Sequence, residues 1–107
     1  KLVKGIVEFR RNIRPNYLET FAKLALGQSP DTLFIACSDS RVVPNLFAST
    51  NPGQLFVCRN VGNMVPKCKH GVSSSIGAAL EFGIDVLKVK NIIVCGHSEC
   101  GAMKAIC

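Results

Sequence analysis

Three short apolar runs constrain what this chain can fold into more than any other feature. Residues 33–36 (LFIA), 55–58 (LFVC) and 92–95 (IIVC) show no polar alternation, and each run predicts a strand. Strands of this kind are typical of a parallel sheet that is covered on both faces, with helices or long connections between the strands. We therefore predict an α/β fold with a parallel β-sheet core flanked by helices.

Helical patterns lie before and between the strands. Residues 2–13 have the apolar periodicity of an amphipathic helix, and a second helix is predicted to begin at a cap on Asn16 and to end at Gly27. The serines at 73–75 can begin another helix, and a last helix is predicted near Cys100. The apolar stripe of the helix that follows the serines is predicted to consist of Ile76, Leu80, Ile84 and Leu87.

The length and the composition indicate one domain, residues 1–107, with 48% hydrophobic and 19% charged residues. The chain starts at Lys1 rather than Met and stops inside a helix-like run at Cys107, so we expect this domain to be truncated. No apolar run approaches the roughly 20 residues of a membrane span, and no signal-peptide pattern opens the chain. A chain so rich in apolar residues does not need its six cysteines as disulfide staples. We predict a cytoplasmic protein with reduced thiols and no membrane partner.

The net charge of +6 raises the alternative of a nucleic-acid-binding module. Most of the positive excess lies in the first 23 residues, where the longest basic run is Arg10-Arg11. This pattern is more typical of a solvated helix face, so we predict no nucleic-acid partner.

Potential metal ligands follow two of the predicted strands. Cys37 ends the first apolar run, and His97 and Cys100 follow the third. Binding sites of parallel sheets lie beyond the carboxyl ends of the strands, so these three donors can converge on one ion. Two thiolates and one imidazole suit Zn²⁺, and three protein ligands leave a fourth position open, as in a catalytic site. Cys95 is a spare thiol that strand alternation should turn away.

Asp39 and Arg41 lie beside the first of these ligands. Arg41 can hold the Asp39 carboxylate ionised and oriented, with one oxygen left to accept a hydrogen bond from zinc-bound hydroxide. Two simpler interpretations stay open on the residues alone. The three donors could be unrelated buried side chains, and the charged pair could be a surface ion pair worth little.

The motifs CSDSR at 37–41, PGQLFVCRNVGNMV at 52–65 and GHSECGAM at 96–103 resemble the β-class carbonic anhydrases. The resemblance covers almost the whole chain and includes LALGQSP at 24–30. It implies that Cys37, His97 and Cys100 bind zinc and that Asp39 and Arg41 form a catalytic dyad. It also implies a pocket at the interface of a homodimer or a dimer-based homo-oligomer. The pocket residues that match the family are Gln28, Phe56, Val61 and Gly101.

The implied reaction is the reversible hydration of CO₂ to bicarbonate and a proton, with zinc-bound hydroxide as the nucleophile. The family's dyad aspartate either faces the hydroxide or replaces it as the fourth zinc ligand. The family domain is roughly twice as long as this chain, and its later part adds a parallel strand and further helices. Two alternatives stay open: hydrolysis of CS₂ or COS by the same zinc set, and a non-catalytic zinc-binding or thiol-redox module.

The chain also departs from the family pattern. Phe34 and Phe82 stand where members inhibited by bicarbonate carry Trp and Tyr, so only Arg59 of that set is present, and we predict that this regulation is absent. His70 is a possible proton shuttle, although a lone loop histidine is more often simply exposed. The remaining thiols, interpreted as structural or incidental, are Cys58, Cys68 and Cys107.

Overall fold

Three parallel strands form the sheet, in the order β2-β1-β3. The computed structural model describes residues 1–67 and 74–106, so His70, Cys68 and Cys107 lie outside the described residues. The strands are β1 (Thr32–Cys37), β2 (Leu55–Asn60) and β3 (Asn91–Cys95). Each extends its predicted run by one or two residues, and the parallel pairing confirms the predicted α/β class.

Helices lie at the four predicted positions and also at Pro44–Phe47, where the sequence pattern did not predict one. They are α1 (Leu2–Glu8), α2 (Leu18–Leu24), α3 (Pro44–Phe47), α4 (Ser75–Glu81) and α5 (Gly101–Ile106). A π-helical turn (Phe9–Ile13) and a 3₁₀ turn (Arg14–Tyr17) join α1 to α2, and a second π-helical turn (Phe82–Val86) continues α4. None of the helices within residues 1–67 and 74–106 combines the length and the hydropathy needed to cross a bilayer.

Of the two helix starts predicted from capping residues, that of α4 is confirmed and that of α2 is not. The Ser74 hydroxyl accepts a hydrogen bond of 2.9 Å from the Gly77 N–H, so the predicted serine start of α4 is confirmed. The predicted Asn16 cap is wrong. Asn16 lies inside the 3₁₀ turn, and its side chain donates to the Asn12 carbonyl instead. The 3₁₀ turn that contains Pro15 keeps the chain helical up to Tyr17, which makes Tyr17 the cap position of α2.

The central strand separates two hydrophobic clusters because its side chains alternate between the faces of the sheet. We call one the thiol-face cluster, which consists of Phe34, Ala36, Cys37, Val42 and Cys100. We call the other the aliphatic-face cluster, built on Leu33, Ile35 and Ile76 with partly buried neighbours. Those neighbours are Phe56, Cys58, Leu80 and Val89. Both clusters depend on β1, which is therefore the core of the chain.

The edge strand β3 is less buried than its apolar run predicts. Ile92, Ile93 and Val94 are all exposed, Val94 at 53% of its surface. The apolar stripe of α1 is exposed too, with Val3 at 73%. An apolar run indicates a strand, but it does not show whether residues of the same chain bury that strand.

Candidate metal centre

Three metal-binding side chains converge at the carboxyl edge of the sheet. Cys37 is the last residue of β1, while His97 and Cys100 lie on the loop between β3 and α5. Their ligand atoms all lie within 4.8 Å of one another, with both cysteines buried and the histidine half-buried. The sequence-predicted triad is thus brought together by the parallel pairing of β1 with β3.

The histidine has one ring nitrogen engaged and the other available. Nδ1 of His97 lies 2.7 Å from the Ser98 carbonyl oxygen, to which it donates a hydrogen bond. Nε2 is buried and has no hydrogen-bond partner among the residues that the structure describes. A buried nitrogen in that state costs stability unless something satisfies it, and a metal ion would use its lone pair.

The sulfur of Cys37 accepts hydrogen bonds from two backbone N–H groups, which favour the thiolate over the thiol. The backbone N–H groups of Asp39 and Gly62 point at Sγ over 3.4 and 3.3 Å. These hydrogen bonds, together with the neighbouring His97, lower the pKa of Cys37 to about 6. Gly62 has φ of +85°, and a Cβ on it would lie 3.1 Å from the Ala102 Cβ, so this donor position requires glycine.

The donor set fits Zn²⁺. The two sulfurs, Cys37 Sγ and Cys100 Sγ, are 3.9 Å apart. Two sulfurs bound tetrahedrally at about 2.3 Å from one Zn²⁺ would be separated by about 3.8 Å. The expectation that strand alternation turns Cys95 away is wrong, because Cys95 pairs with Ala36 and packs against the thiol-face cluster. Among the described residues, it is nevertheless not one of the three converging donors.

Asp39 and Arg41 form a close pair next to the ligands. Arg41 donates from Nε to Oδ1 over 2.9 Å and from Nη2 to Oδ2 over 2.6 Å, and its backbone N–H also donates to Oδ1. These hydrogen bonds hold the pKa of Asp39 well below its usual range. Oδ2 lies 3.9 Å from the free Nε2 of His97, so the carboxylate faces the ligand cluster. Arg41 also donates to the Glu99 carbonyl, between the two later ligands.

A cavity of about 280 Å³ opens beside the cluster. Its lining consists of Cys37, Ser38, Asp39, Val61, Gly101 and Ala102. Two of the predicted pocket residues, Val61 and Gly101, therefore lie at this site. Gln28 lines a separate cavity near α2, and Phe56 packs in the aliphatic-face cluster with its ring 5.8 Å from that of Phe82. A single chain does not bring these two residues to the metal ligands.

Sequence reasoning missed the contacts of Arg59. Its guanidinium donates to the Cys37 carbonyl over 3.0 Å and to the Asp39 carbonyl over 2.8 Å. The position of Arg59 near the end of β2 could have indicated these contacts, because β2 pairs with the strand that carries Cys37.

The fold and the donor set define a class: a parallel α/β protein with a two-thiolate, one-imidazole site typical of catalytic zinc. A family model described as carbonic anhydrase matches residues 32–107. The chain belongs to the β-class carbonic anhydrase family.

Named relatives agree with that assignment. The chain is 48% identical to a carbonic anhydrase of Pseudomonas aeruginosa, over 98% of this chain and 47% of the relative. The structure of the β-carbonic anhydrase CcaA superposes with a TM-score of 0.93 at 45% identity, over 98% of this chain and 47% of that one. One of two tetrameric β-carbonic anhydrases of Sordaria macrospora has a TM-score of 0.78 at 34% identity, over 100% of this chain and 55% of that one. The chain spans between 38% and 48% of the length of the curated relatives that it matches.

Proposed function

We propose that the protein containing this chain catalyses the reversible hydration of CO₂ to bicarbonate and a proton, with Zn²⁺ as its cofactor. The observation that carries this proposal is the convergence of Cys37, His97 and Cys100 beside the Asp39 carboxylate, in one cavity. A structural zinc site would need neither the adjacent charged pair nor the cavity.

Cys37, His97 and Cys100 would hold the metal ion. When bound, Zn²⁺ lowers the pKa of a water ligand toward about 7 and so supplies a nucleophile at neutral pH. The chain prepares its donors for this role. The N–H groups of Asp39 and Gly62 favour the Cys37 thiolate, and the Ser98 carbonyl fixes the tautomer of His97.

Asp39 and Arg41 would orient the reacting water. Because Arg41 occupies both carboxylate oxygens, Asp39 stays ionised through the neutral range and can only accept hydrogen bonds. Neither oxygen is left wholly free, but Oδ2 accepts a single hydrogen bond from Arg41 and lies near His97, so we assign its second lone pair to accept a hydrogen bond from the water. The guanidinium bond to the Glu99 carbonyl ties this pair to the loop that carries the other two ligands.

The cavity suits a small apolar gas. Val61, Gly101 and Ala102 supply apolar wall, while Asp39 supplies the charged end. We propose that Gln28 and Phe56 reach the pocket from a second subunit, since both lie away from the cavity of their own chain. A relative with the same fold is described as tetrameric, which supports a dimer-based homo-oligomer. We also propose a cytoplasmic location and no nucleic-acid or membrane partner.

Stopped-flow hydration of CO₂ tests the function directly. The protein at its full natural length should hydrate CO₂, lose the activity to a chelator and regain it with Zn²⁺. Sulfide release from CS₂ in place of CO₂ hydration would assign the alternative hydrolase activity. Zinc binding with neither reaction would leave a non-catalytic metal module and overturn the proposal.

A further inference from the structure

Arg59 bridges the turn that joins a metal ligand to the charged pair. Its Nε–H donates to the Cys37 carbonyl over 3.0 Å, and its Nη2–H donates to the Asp39 carbonyl over 2.8 Å. These two carbonyls flank Ser38, whose backbone N–H donates to the Asn60 carbonyl over 2.8 Å. Three consecutive residues of the turn are therefore held by two consecutive residues of β2.

The contacts of Arg59 differ from those of Arg41. Arg41 binds the side chain of Asp39 and so fixes the carboxylate itself. Within the described residues, Arg59 hydrogen-bonds to backbone oxygens of this turn and to neither the Asp39 carboxylate nor a ligand sulfur. Its influence on the site must pass through the position of the Cys37–Asp39 backbone.

The guanidinium of Arg59 is well suited to holding two backbone carbonyls in place. A guanidinium presents several N–H donors in a rigid planar fork, so two acceptors that it binds are held at a fixed separation. Hydrogen bonds from a charged donor are stronger than neutral ones. A lysine at the same place would keep the charge but has a single nitrogen on a flexible stem.

We infer that Arg59 is a positioning residue, which holds the turn so that Cys37 Sγ and the Asp39 carboxylate keep their relative placement. This inference rests on the proposed function, because it takes Cys37 as a ligand of the metal ion. The same placement determines whether the Asp39 N–H can reach the Cys37 sulfur, which it does over 3.4 Å. Arg59 thereby helps to hold an N–H donor on the Cys37 sulfur, although it hydrogen-bonds only the carbonyl of that residue.

The experiment compares Arg59→Met and Arg59→Lys in the full-length protein loaded with Co²⁺ in place of Zn²⁺. The readouts are the thiolate-to-cobalt absorption bands and the Co²⁺ dissociation constant, measured by competition with a chelator. Loss of an outer partner of a metal ligand typically weakens metal affinity about 10–100-fold, and we expect that loss with Met together with shifted bands. Lys should restore less than half of the lost affinity on a logarithmic scale. Arg10→Met removes the same charge from the turn after α1 and should leave both readouts unchanged.

The outcomes separate this inference from the proposed function. If the unmodified protein shows thiolate bands but no CO₂ hydration, the proposed function fails while the Arg59 comparison is still decided by the spectra. Wild-type bands and affinity in both variants would overturn the inference, and so would complete recovery by Lys. A lower unfolding temperature with unchanged bands would show a merely structural role, and failure of both variants to fold would contradict a role confined to the site.

Discussion

The two faces of the sheet place a cysteine in opposite surroundings. On the thiol face, backbone N–H donors lower the pKa of Cys37 to about 6. On the aliphatic face, burial raises the pKa of Cys58, because its surroundings disfavour the thiolate. The residues are identical and lie on neighbouring strands, with Cys58 paired to Ile35 of β1. The loops at the carboxyl edge, rather than the cysteine itself, therefore determine where a thiolate is favoured.

The strongest test of this contrast is the removal of a ligand on the thiol face. In Cys100→Ala we expect CO₂ hydration to fall to the uncatalysed rate, since two donors cannot hold the ion in a tetrahedral site. Zn²⁺ affinity should fall by more than about 100-fold, which exceeds the usual loss for an outer partner. Atomic absorption and stopped-flow assays measure the two effects.

Cys95→Ala is the matched control for that prediction. Cys95 also packs on the thiol-face cluster, but it lies outside the donor set. It should keep its zinc and its rate. Equal losses in both variants would mean that the cluster, and not the three donors, carries the function.

The second prediction removes the charge beside the ligands and leaves the ligands in place. Asp39→Asn should lower the hydration rate by about 10²–10³-fold, the range typical for the loss of one preorganised hydrogen-bonding group, with one zinc per chain retained. Ser40→Ala changes the exposed residue between Asp39 and Arg41 and should stay within about twofold of the wild type. An unchanged rate in Asp39→Asn would show that the pair is only a structural ion pair.

The third prediction concerns the aliphatic face. Ile35 is 1% exposed, so Ile35→Ala should lower the free energy of unfolding by about 2–5 kcal/mol through lost burial and a new cavity. The Co²⁺ absorption bands of the folded variant should be unchanged. Leu46→Ala, at a side chain 76% exposed, should cost less than about 0.5 kcal/mol in urea unfolding. Altered bands in Ile35→Ala would show that the two faces are not separable.

The smallest predicted effect is a difference in thiol reactivity in the metal-free protein. At pH 7 Cys37 is above its pKa of about 6 and is mostly thiolate, whereas Cys58, with a raised pKa, stays protonated. Iodoacetamide should label Cys37, which lines the cavity, about tenfold faster or more, and peptide mass spectrometry measures both rates. The rate at Cys37 should fall as the pH drops below 6, and added Zn²⁺ should protect it. Equal labelling of the two thiols would remove the contrast.

Much of the site could be predicted because parallel topology brings strand ends together. Cys37 and His97 follow neighbouring strands, so their convergence followed once the apolar runs were assigned. The role of Gly62 and Arg59 could not be predicted, since it depends on the register that sets Cys37 opposite Asn60. Register is a tertiary property that a short apolar run does not specify on its own.

The fold shows the same division between local and non-local information. Ser74 caps α4 by accepting a hydrogen bond from a residue three positions later, so the local sequence was enough to predict this cap. The exposure of β3 and α1 depends on surfaces distant along the chain, which periodicity does not display. The π-helical turns also left no signal in the apolar pattern, which shows helical spacing but does not distinguish one hydrogen-bond register from another.

The placement of the two ligand cysteines has a consequence for the unfolded chain. Cys37 and Cys100 are 63 positions apart in sequence, yet their sulfurs are 3.9 Å apart in the fold. A metal ion bound to both would close a long loop, much as a disulfide does, and would reduce the conformational entropy available on unfolding. Free zinc concentration then enters the folding equilibrium directly, so the thermal midpoint should rise with added Zn²⁺. The ion would serve as a reversible cross-link as well as a source of chemistry.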